Sequence, residues 1–557
     1  LNLKGASVLS YIYENQNPAA CQNFCRLIQQ TIEAWHHKIA STNVLRLNIP
    51  FEPTSFDPRI AGDEFTGSIL RVLFEGLIRL NQKGEYEYGM AQSVSISPDK
   101  KHYTFKLRKA EWNNGAPVTA HDFEYAWKKI LSADFNTSFA YLFYPIRNAK
   151  EAKQGLTSLD HVGIKALDDH TLHVELAFPA PYFLELTALT IYSPVHRLTD
   201  LRHPNWPLQT QDGYVCNGAF QLKTQRRNQS FELNKNPSYW DAKNIEIDKI
   251  IISRSSYHLS RQLFKKEELD WIGQPFELWD LNFEPGPEDQ VITAPNTGVY
   301  WYVFNTERFP FNHHKLRRAF ALAIDRDYIT KTLATPTRPA YSPVSPGLSQ
   351  IQGERYLQEN LELAKQLFQE ALDELGLDRQ FFPPLNLLYA QGEVRDKSAN
   401  LVKEQWEDAF GIQIRLEPLQ WHLAFNKMKQ GDFHICGILW RTLVNDPIYV
   451  LNFFKDSKER INLSRWEKPE FRQLLDLADH ELNGQLRLHY LAQAEELLLK
   501  EIPILPVFNI DFRAIVKNDV EAPSISRHGI LDLKWVKIKK KLPLQNSNIL
   551  IKHGHSS

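Results

Sequence analysis

The chain has 557 residues, a length that corresponds to about three or four folding units and not to one small core. Lys and Arg number 65 against 66 Asp and Glu, so the net charge of -1 carries no polyanion-binding signature and nucleic acid is not an expected partner. Four cysteines (Cys21, Cys25, Cys216 and Cys436) are too few for a disulfide scaffold, and no run reaches the ~18 apolar residues of a membrane span.

Residues 1–42 read as an appendage. Phe24, Leu27, Ile28, Ile32 and Trp35 fall at helical spacing and predict one apolar face, which docks on the body because its polar side is not rich in Lys or Arg. The first residues lack the basic start, apolar run and small-residue cleavage site of a signal peptide. Cys21 and Cys25 lie four apart near His36 and His37, but no second pair completes a zinc pattern. No apolar run precedes "NPAAC", so Cys21 is not expected to carry a lipid.

From Val44 the texture changes to short strands and amphipathic helices. "VLRLNIP" predicts a strand entering the turn-rich "EPTSFDP"; "FTGSILRVLFEGLIRL" has helical spacing and predicts one helix ending near Gly84. His102–Arg108 alternates with period two, placing Tyr103, Phe105 and Leu107 on one strand face, and Thr171–Ala177 repeats the pattern. "AHDFEYAWKKIL" predicts a helix opened by Thr119. Leu361–Leu375 predicts another, capped by Asn360 and stopped by Gly376. A strand at "LNLLYA", a helix near Asp396–Ala409 and a strand at "IQIRLEPL" give a β-α-β order and hence an α/β unit. A last strand, "IPILPVFNI", precedes the lysine-rich "KIKKK" and a polar tail over 541–557 that is expected to be flexible.

Catalytic signatures are absent: there is no GxSxG, HExxH or GxxxxGK[ST], and no carboxylate pair stands out as general acid and base. The 12% aromatic content, with 13 Trp and 21 Tyr, suits an aromatic-lined cleft as well as a large aromatic core. Asp57-Pro58 and Gly115-Ala116-Pro117 read as turn chemistry, and Trp112 and Trp240 beside turns read as core plugs.

An ordered set of segments resembles the family 5 extracellular solute-binding proteins, the oligopeptide- and dipeptide-binding group. They are "SFDPRIAGDEFTGSILRVLFEGLIRLNQKGEYEYGMAQS", "YTFKLRKAEWNNGAPVTAHDFEYAWKKIL", "VGIKALDDHTLHVELAFPAPYF", "NGAFQLK", "NPSYW", "FNHHKLRRAFALAIDRD" and "IPILPVF", spanning roughly Val44 to Lys537. The resemblance implies an α/β, two-lobed periplasmic-binding-protein fold in its large three-domain version, with a hinge between lobes. The implied division is 43–76 for the first part of lobe I, 77–195 for an extra subdomain, 196–298 for lobe I continued, 299–505 for lobe II and 506–540 for the return to lobe I. It also implies a monomeric, extracytoplasmic binding subunit of an ABC importer, in the periplasm or on the outer membrane face. Its partners are a peptide ligand and the membrane permease subunits; it has no cofactor, no metal and no catalytic residues.

Carried over by position, the ligand cleft is expected to include Tyr144, Tyr300, Trp301, Tyr302, Arg395, Trp421, Trp440, Asn445 and Phe508. Three positions depart from the pattern of general peptide binders, which place acids there: Leu443, Val303 and Ala61. A buried ammonium without a counter-charge is costly. Either Asp446 substitutes for the missing acid or the amine stays solvated, and the expected ligand is an acidic, modified or γ-linked small peptide whose carboxylate Arg395 or Arg441 holds. Other readings are a non-peptide cargo (metal chelate, haem or sugar), a peptidase and a chaperone-like protein. His313 and His314 diverge in an ordinary helix and do not favour the metal.

Overall fold

The computed structural model describes residues 43–539 except Thr54, 61–63, 209–212, 227–228, 277–283, 334–336 and Arg527. The predicted apolar face of 1–42, Cys21, Cys25, Ala61 and the 541–557 tail lie outside the described residues.

The chain enters through strand β1 (Val44–Ile49) and helix α1 (Glu64–Leu73). The structure ends α1 well before Gly84, correcting the single long helix expected from spacing. Phe74, Glu75 and Gly76 break it, and Ile78–Leu80 forms a hairpin with Tyr86–Tyr88 around Gly84 at φ +73°. Gly76 cannot be replaced without crowding, since a Cβ there would sit 3.1 Å from the Thr187 carbonyl oxygen.

A four-stranded antiparallel sheet follows: β2 (Ala91–Ile96), β3 (His102–Leu107), β4 (Ile164–Asp168) and β5 (Thr171–Glu175), in the order β2-β3-β5-β4. Helix α2 (Ala120–Leu131) packs beside it, opened by a capping box between Thr119 and Asp122. The chain then adds β6 (Phe220–Arg226), β7 (Ser230–Lys235) and β8 (Lys249–Arg254), which join β1 in the order β1-β8-β7-β6. Arg59 ties these parts together: its guanidinium is bonded to Asp57 and to Asp200, and Asp200 also accepts from the Tyr125 hydroxyl of α2 and the Trp206 indole. Trp112 is fully buried, whereas Trp240 is half-buried beneath the Arg79 and Arg108 guanidiniums.

The second lobe is one seven-stranded mixed sheet. Its strands are β9 (Trp271–Gly273), β10 (Gln290–Phe304), β11 (Thr337–Pro339), β12 (Leu385–Ala390), β13 (Ile414–Leu419), β14 (Ile435–Arg441) and β15 (Ile504–Val516). The order is β9-β15-β10-β14-β12-β13, with β11 on β15. Helices α3 (His314–Leu322), α4 (Leu361–Leu375) and α5 (Glu393–Phe410) cover one face; α6 (Trp421–Gln430), α7 (Pro469–His480) and α8 (Gly484–Glu501) belong to the core on the other. Asn360 caps α4 by accepting from the Leu363 N–H, and Gly376 ends it at φ +59°, as the sequence predicts.

Two long antiparallel strands join the lobes. β10 and β15 pair near β9, shift register between Ala294 and Gly298, and pair again within the second lobe. Pro295 falls in that interruption and has no N–H to give the ladder. β9 is pinned to the first lobe by Asp270, whose carboxylate takes the Arg46 guanidinium of β1 at 2.6 and 3.0 Å. The ladder between the two crossing strands is thus interrupted between Ala294 and Gly298, a local weakness of the kind a hinge requires.

Candidate functional site

The parallel strands β12, β13 and β14 all end on the side of the sheet that faces the first lobe, and in open α/β sheets the crevice beyond such carboxyl ends takes the ligand. The structure brings four of the predicted residues to this edge. Arg395 lies in the first turn of α5, just after β12, with Nη1 donating to the Gln391 carbonyl at 3.2 Å. Trp421 opens α6 just after β13 and stacks on Phe425 at 5.0 Å. Trp440 and Arg441 end β14 and, by strand alternation, point to opposite faces. Trp440 packs edge-on against Phe453 at 4.5 Å, and its indole N–H is buried without a partner.

Arg441 crosses the cleft. Its Nη1 donates to Glu64 Oε1 of α1 at 2.5 Å, over a sequence separation of 377 residues. Burial pushes the guanidinium below its usual range, and the charge of Glu64 pulls it part of the way back. Asn445 is exposed and uses its backbone N–H, donating to Glu185 Oε2 at 2.6 Å. Farther along, the extra subdomain meets the second lobe around a cavity of about 470 Å³ whose walls include Tyr141, Tyr144, Lys150, Asp456 and Glu459. Lys150 spans this interface to Asp456 at 3.2 Å and Glu459 at 3.7 Å. Tyr144 is half-buried there; burial, then the Glu459 and Asp456 charges, raise its phenol well above the ordinary range.

Other predicted site residues do not reach the cleft. Tyr300, Tyr302 and Phe508 are 0% exposed in the second-lobe core, with Tyr300 stacked on Phe508 at 4.9 Å and Tyr302 hydrogen-bonded to Ser398 Oγ at 2.9 Å. Trp301 points the other way and is buried there. β10 is a central strand, so its alternating side chains go to two cores: Tyr300 and Tyr302 to one, Trp301 and Val303 to the cluster against which Trp421 and Trp440 also pack. Val303 belongs to the same strand and is buried. Asp446 does not substitute for the missing acid: it is buried and bidentate to Arg487, at 2.6 and 3.1 Å, and caps the Ile448 N–H. Leu443 is half-buried near the cleft, its carbonyl 3.5 Å from the Tyr86 hydroxyl.

Sequence reasoning missed Glu64, Glu185, Lys150, Asp456 and Glu459, the residues that meet across the lobes. No short-range pattern marks partners hundreds of residues apart. His313 and His314 go to structural partners, Glu374 at 3.1 Å and the Lys500 carbonyl at 2.8 Å. Among the described residues no group of three or more His, Cys, Asp or Glu could hold a metal ion, and no helix is long and apolar enough to cross a membrane. The described cysteines, Cys216 and Cys436, are buried free thiols.

Two lobes, two crossing strands and a polar-aromatic cleft between them define a hinged binding protein. Residues 85–462 match the model of the bacterial extracellular solute-binding proteins, family 5 Middle. The oligopeptide-binding protein OppA of Bacillus subtilis (strain 168) is 36% identical over 477 residues, covering 83% of this chain and 87% of that protein. The chain belongs to the family 5 bacterial extracellular solute-binding proteins. Among solved structures, Haemophilus influenzae OppA in complex with the peptide RPPGFSPFR matches with TM-score 0.80 at 25% identity, covering 89% of this chain and 99% of that one. Escherichia coli MppA, a murein tripeptide binding protein, matches with TM-score 0.79 at 27% identity, covering 89% and 99%. Its unliganded open form, covering 89% and 98%, matches with only 0.62. The lobes here are therefore arranged as in the peptide complex and not as in that open form.

Proposed function

We propose that this chain is the extracytoplasmic peptide-binding subunit of an ABC importer, closing its lobes on an extended peptide and delivering it to the membrane permease. The observation that carries the reading is the cleft edge, where Arg395, Trp421, Trp440 and Arg441 stand at the ends of parallel strands and Arg441 reaches Glu64 of the other lobe. Aromatic and cationic groups of one lobe facing a second lobe across a hinge suit a ligand that must touch both, since only such contacts shift the population towards closure. Main-chain hydrogen bonds to an extended peptide, like those of strand addition, would supply affinity that does not depend on side chains. The likeness of the lobe arrangement to the peptide complex supports the same reading.

On this reading the protein is a monomer without cofactor or metal, in the periplasm or on the outer face of the membrane, and catalyses nothing. Lobe I is 43–76, 196–298 and 506–540, with 77–195 as its extra subdomain and 299–505 as lobe II, except that the start of the return strand through Ile510 packs with the lobe II core. The division is supported by the register shift of the crossing strands between Ala294 and Gly298. The test is native mass spectrometry of the freshly purified protein, followed by calorimetric titration with tri- to pentapeptides and small-angle scattering with and without them. Peptide-dependent compaction without cleavage is expected. Failure of every peptide to bind, or retention of a haem, sugar or metal chelate instead, overturns the assignment.

A further inference from the structure

We propose that the Nε and Nη2 edge of Arg441 receives a carboxylate of the bound peptide, so that this protein selects ligands with an acidic group at that point of the cleft. The inference rests on the peptide reading above and adds its specificity. Arg441 has 9% of its side chain exposed, and among the described residues Nη1 is bonded to Glu64 whereas Nε and Nη2 are shut off from solvent without a partner. These two nitrogens form one side of the planar fork, and their parallel N–H groups match the spacing of the two oxygens of a carboxylate.

Other buried arginines differ in kind. Arg317 gives hydrogen bonds to carbonyls of Glu501, Ile502 and Phe311; Arg326 to carbonyls of Ala340, Pro506, Ile324 and Leu357. Arg59 is held by two aspartates and Arg487 bidentately by one. Each is saturated, or nearly so, by its own surroundings and has a plain structural role. Arg441 alone of this set stands at the lobe boundary with a whole edge unsatisfied, and a buried cationic donor left unpaired is costly.

Among the described residues the neighbouring groups offer no substitute. Asp446, the nearest acid along the chain, is locked by Arg487, and Asn445 turns its backbone N–H to Glu185. Among the described residues Glu64 is the one carboxylate whose charge acts on Arg441. Opposite Arg441 in the ladder stands Gly298, where a Cβ would lie 3.4 Å from Arg441 Cγ and 3.8 Å from Nε.

The test compares matched peptides on the wild-type protein by calorimetry: Ala-Glu-Ala-amide against Ala-Gln-Ala-amide for a side-chain carboxylate, and Ala-Ala-Ala against Ala-Ala-Ala-amide for a terminal one. At least tenfold tighter binding of the acid in one pair is expected, about 1.4 kcal/mol. Arg441→Gln should reduce that ratio below threefold, whereas Glu64→Gln, which breaks the cross-lobe pair but leaves the fork, should keep it. Equal binding within both pairs, or a preference that survives Arg441→Gln, overturns this inference while the peptide reading stands. If Arg441→Gln and Glu64→Gln weaken all peptides alike without a preference, Arg441 is only a latch between lobes and the inference falls. If no peptide binds at all, the peptide reading falls and takes this one with it.

Discussion

The assignment of Asp446 to a structural pair can be tested by replacing it with asparagine. Asp446 is 6% exposed and Arg487 4%, with nitrogen-oxygen distances of 2.6 and 3.1 Å. Burial alone would depress the Arg487 guanidinium, and the charge and hydrogen bonds of Asp446 more than reverse that, holding it above its ordinary value. At 2.6 Å and an effective dielectric of ~20 the attraction is about 6 kcal/mol before desolvation. Asparagine keeps an oxygen for the Ile448 N–H but removes the charge, leaving Arg487 buried with its desolvation uncompensated; the expected loss is about 3–5 kcal/mol. A two-lobed chain need not unfold in one step. The assay is therefore hydrogen exchange over Ile448–Leu451 and the first turns of α8, together with the calorimetric transition of the second lobe. Asp446→Leu with Arg487→Met should return stability to within about 1 kcal/mol of wild type, because a buried ion pair is often matched by apolar residues of similar volume. If Asp446→Asn leaves stability within about 1 kcal/mol and instead weakens peptide binding more than tenfold, Asp446 is a ligand acid and the reasoning is refuted.

Glu495 is buried beneath the Ser342 and Ser349 hydroxyls, and burial, opposed in part by those hydrogen bonds, pushes its carboxyl up to about 7. With the folded value above the unfolded one, the stability it contributes is full below about pH 4.5 and lost as pH rises through 7, about 3 kcal/mol in all. Glu495→Gln should flatten the urea-midpoint profile between pH 5 and 8 and stabilise the protein at pH 8; an unchanged slope refutes this. Tyr125→Phe removes a 2.6 Å hydrogen bond to the Asp200 carboxylate and should cost about 1.5–3 kcal/mol by urea unfolding, with peptide affinity unchanged. Lys150→Ala removes a cross-lobe pair that is partly exposed on both sides, worth about 0–1 kcal/mol, so peptide affinity should fall less than about fivefold by calorimetry, and less still in 0.5 M salt.

Local structure was legible wherever its cause is local. Asn360 and Gly376 bracket α4, and Thr119 and Asp122 form the box that opens α2, because caps act over three or four residues. The run from Phe65 to Leu80 misled because helical spacing continues past Leu73, while the break is imposed by tertiary contacts. Glu75 is buried against Lys534 at 3.2 Å, and Gly76 lies under the Thr187 carbonyl. The same limit explains the site. Trp421, Trp440, Arg441 and Arg395 were placed by position within the family resemblance; strands were legible before Arg395 and Trp421, whereas the strand that ends in Trp440 and Arg441 was not read from the sequence. Tyr300, Tyr302 and Phe508 could not be separated from them, since an aromatic on a central strand and one on a cleft wall look alike until the covering helices are known. A near-continuous apolar run such as "VYWYVF" is itself the mark of a strand covered on both faces, and it was the available signal.

The cross-lobe contacts also bear on what holds the lobes together. The Lys150 pairs are partly exposed, and such pairs contribute about 0–1 kcal/mol. The Arg441–Glu64 pair is better shielded, but its attraction is set against the desolvation of both groups, and part of the Arg441 edge remains unsatisfied. The Tyr86 hydroxyl reaches the Leu443 carbonyl only at 3.5 Å. The Asn445 N–H to Glu185 and the edge contact of Tyr141 on Phe453 at 5.6 Å cross the same boundary. A ligand shifts an equilibrium between open and closed lobes only by contacts that differ between its two states. Arg441 is a cation at that boundary with hydrogen-bond donors still to be filled, beside the unpaired Trp440 indole N–H, so on the proposal above the residue that sets specificity is also one that bridges the lobes.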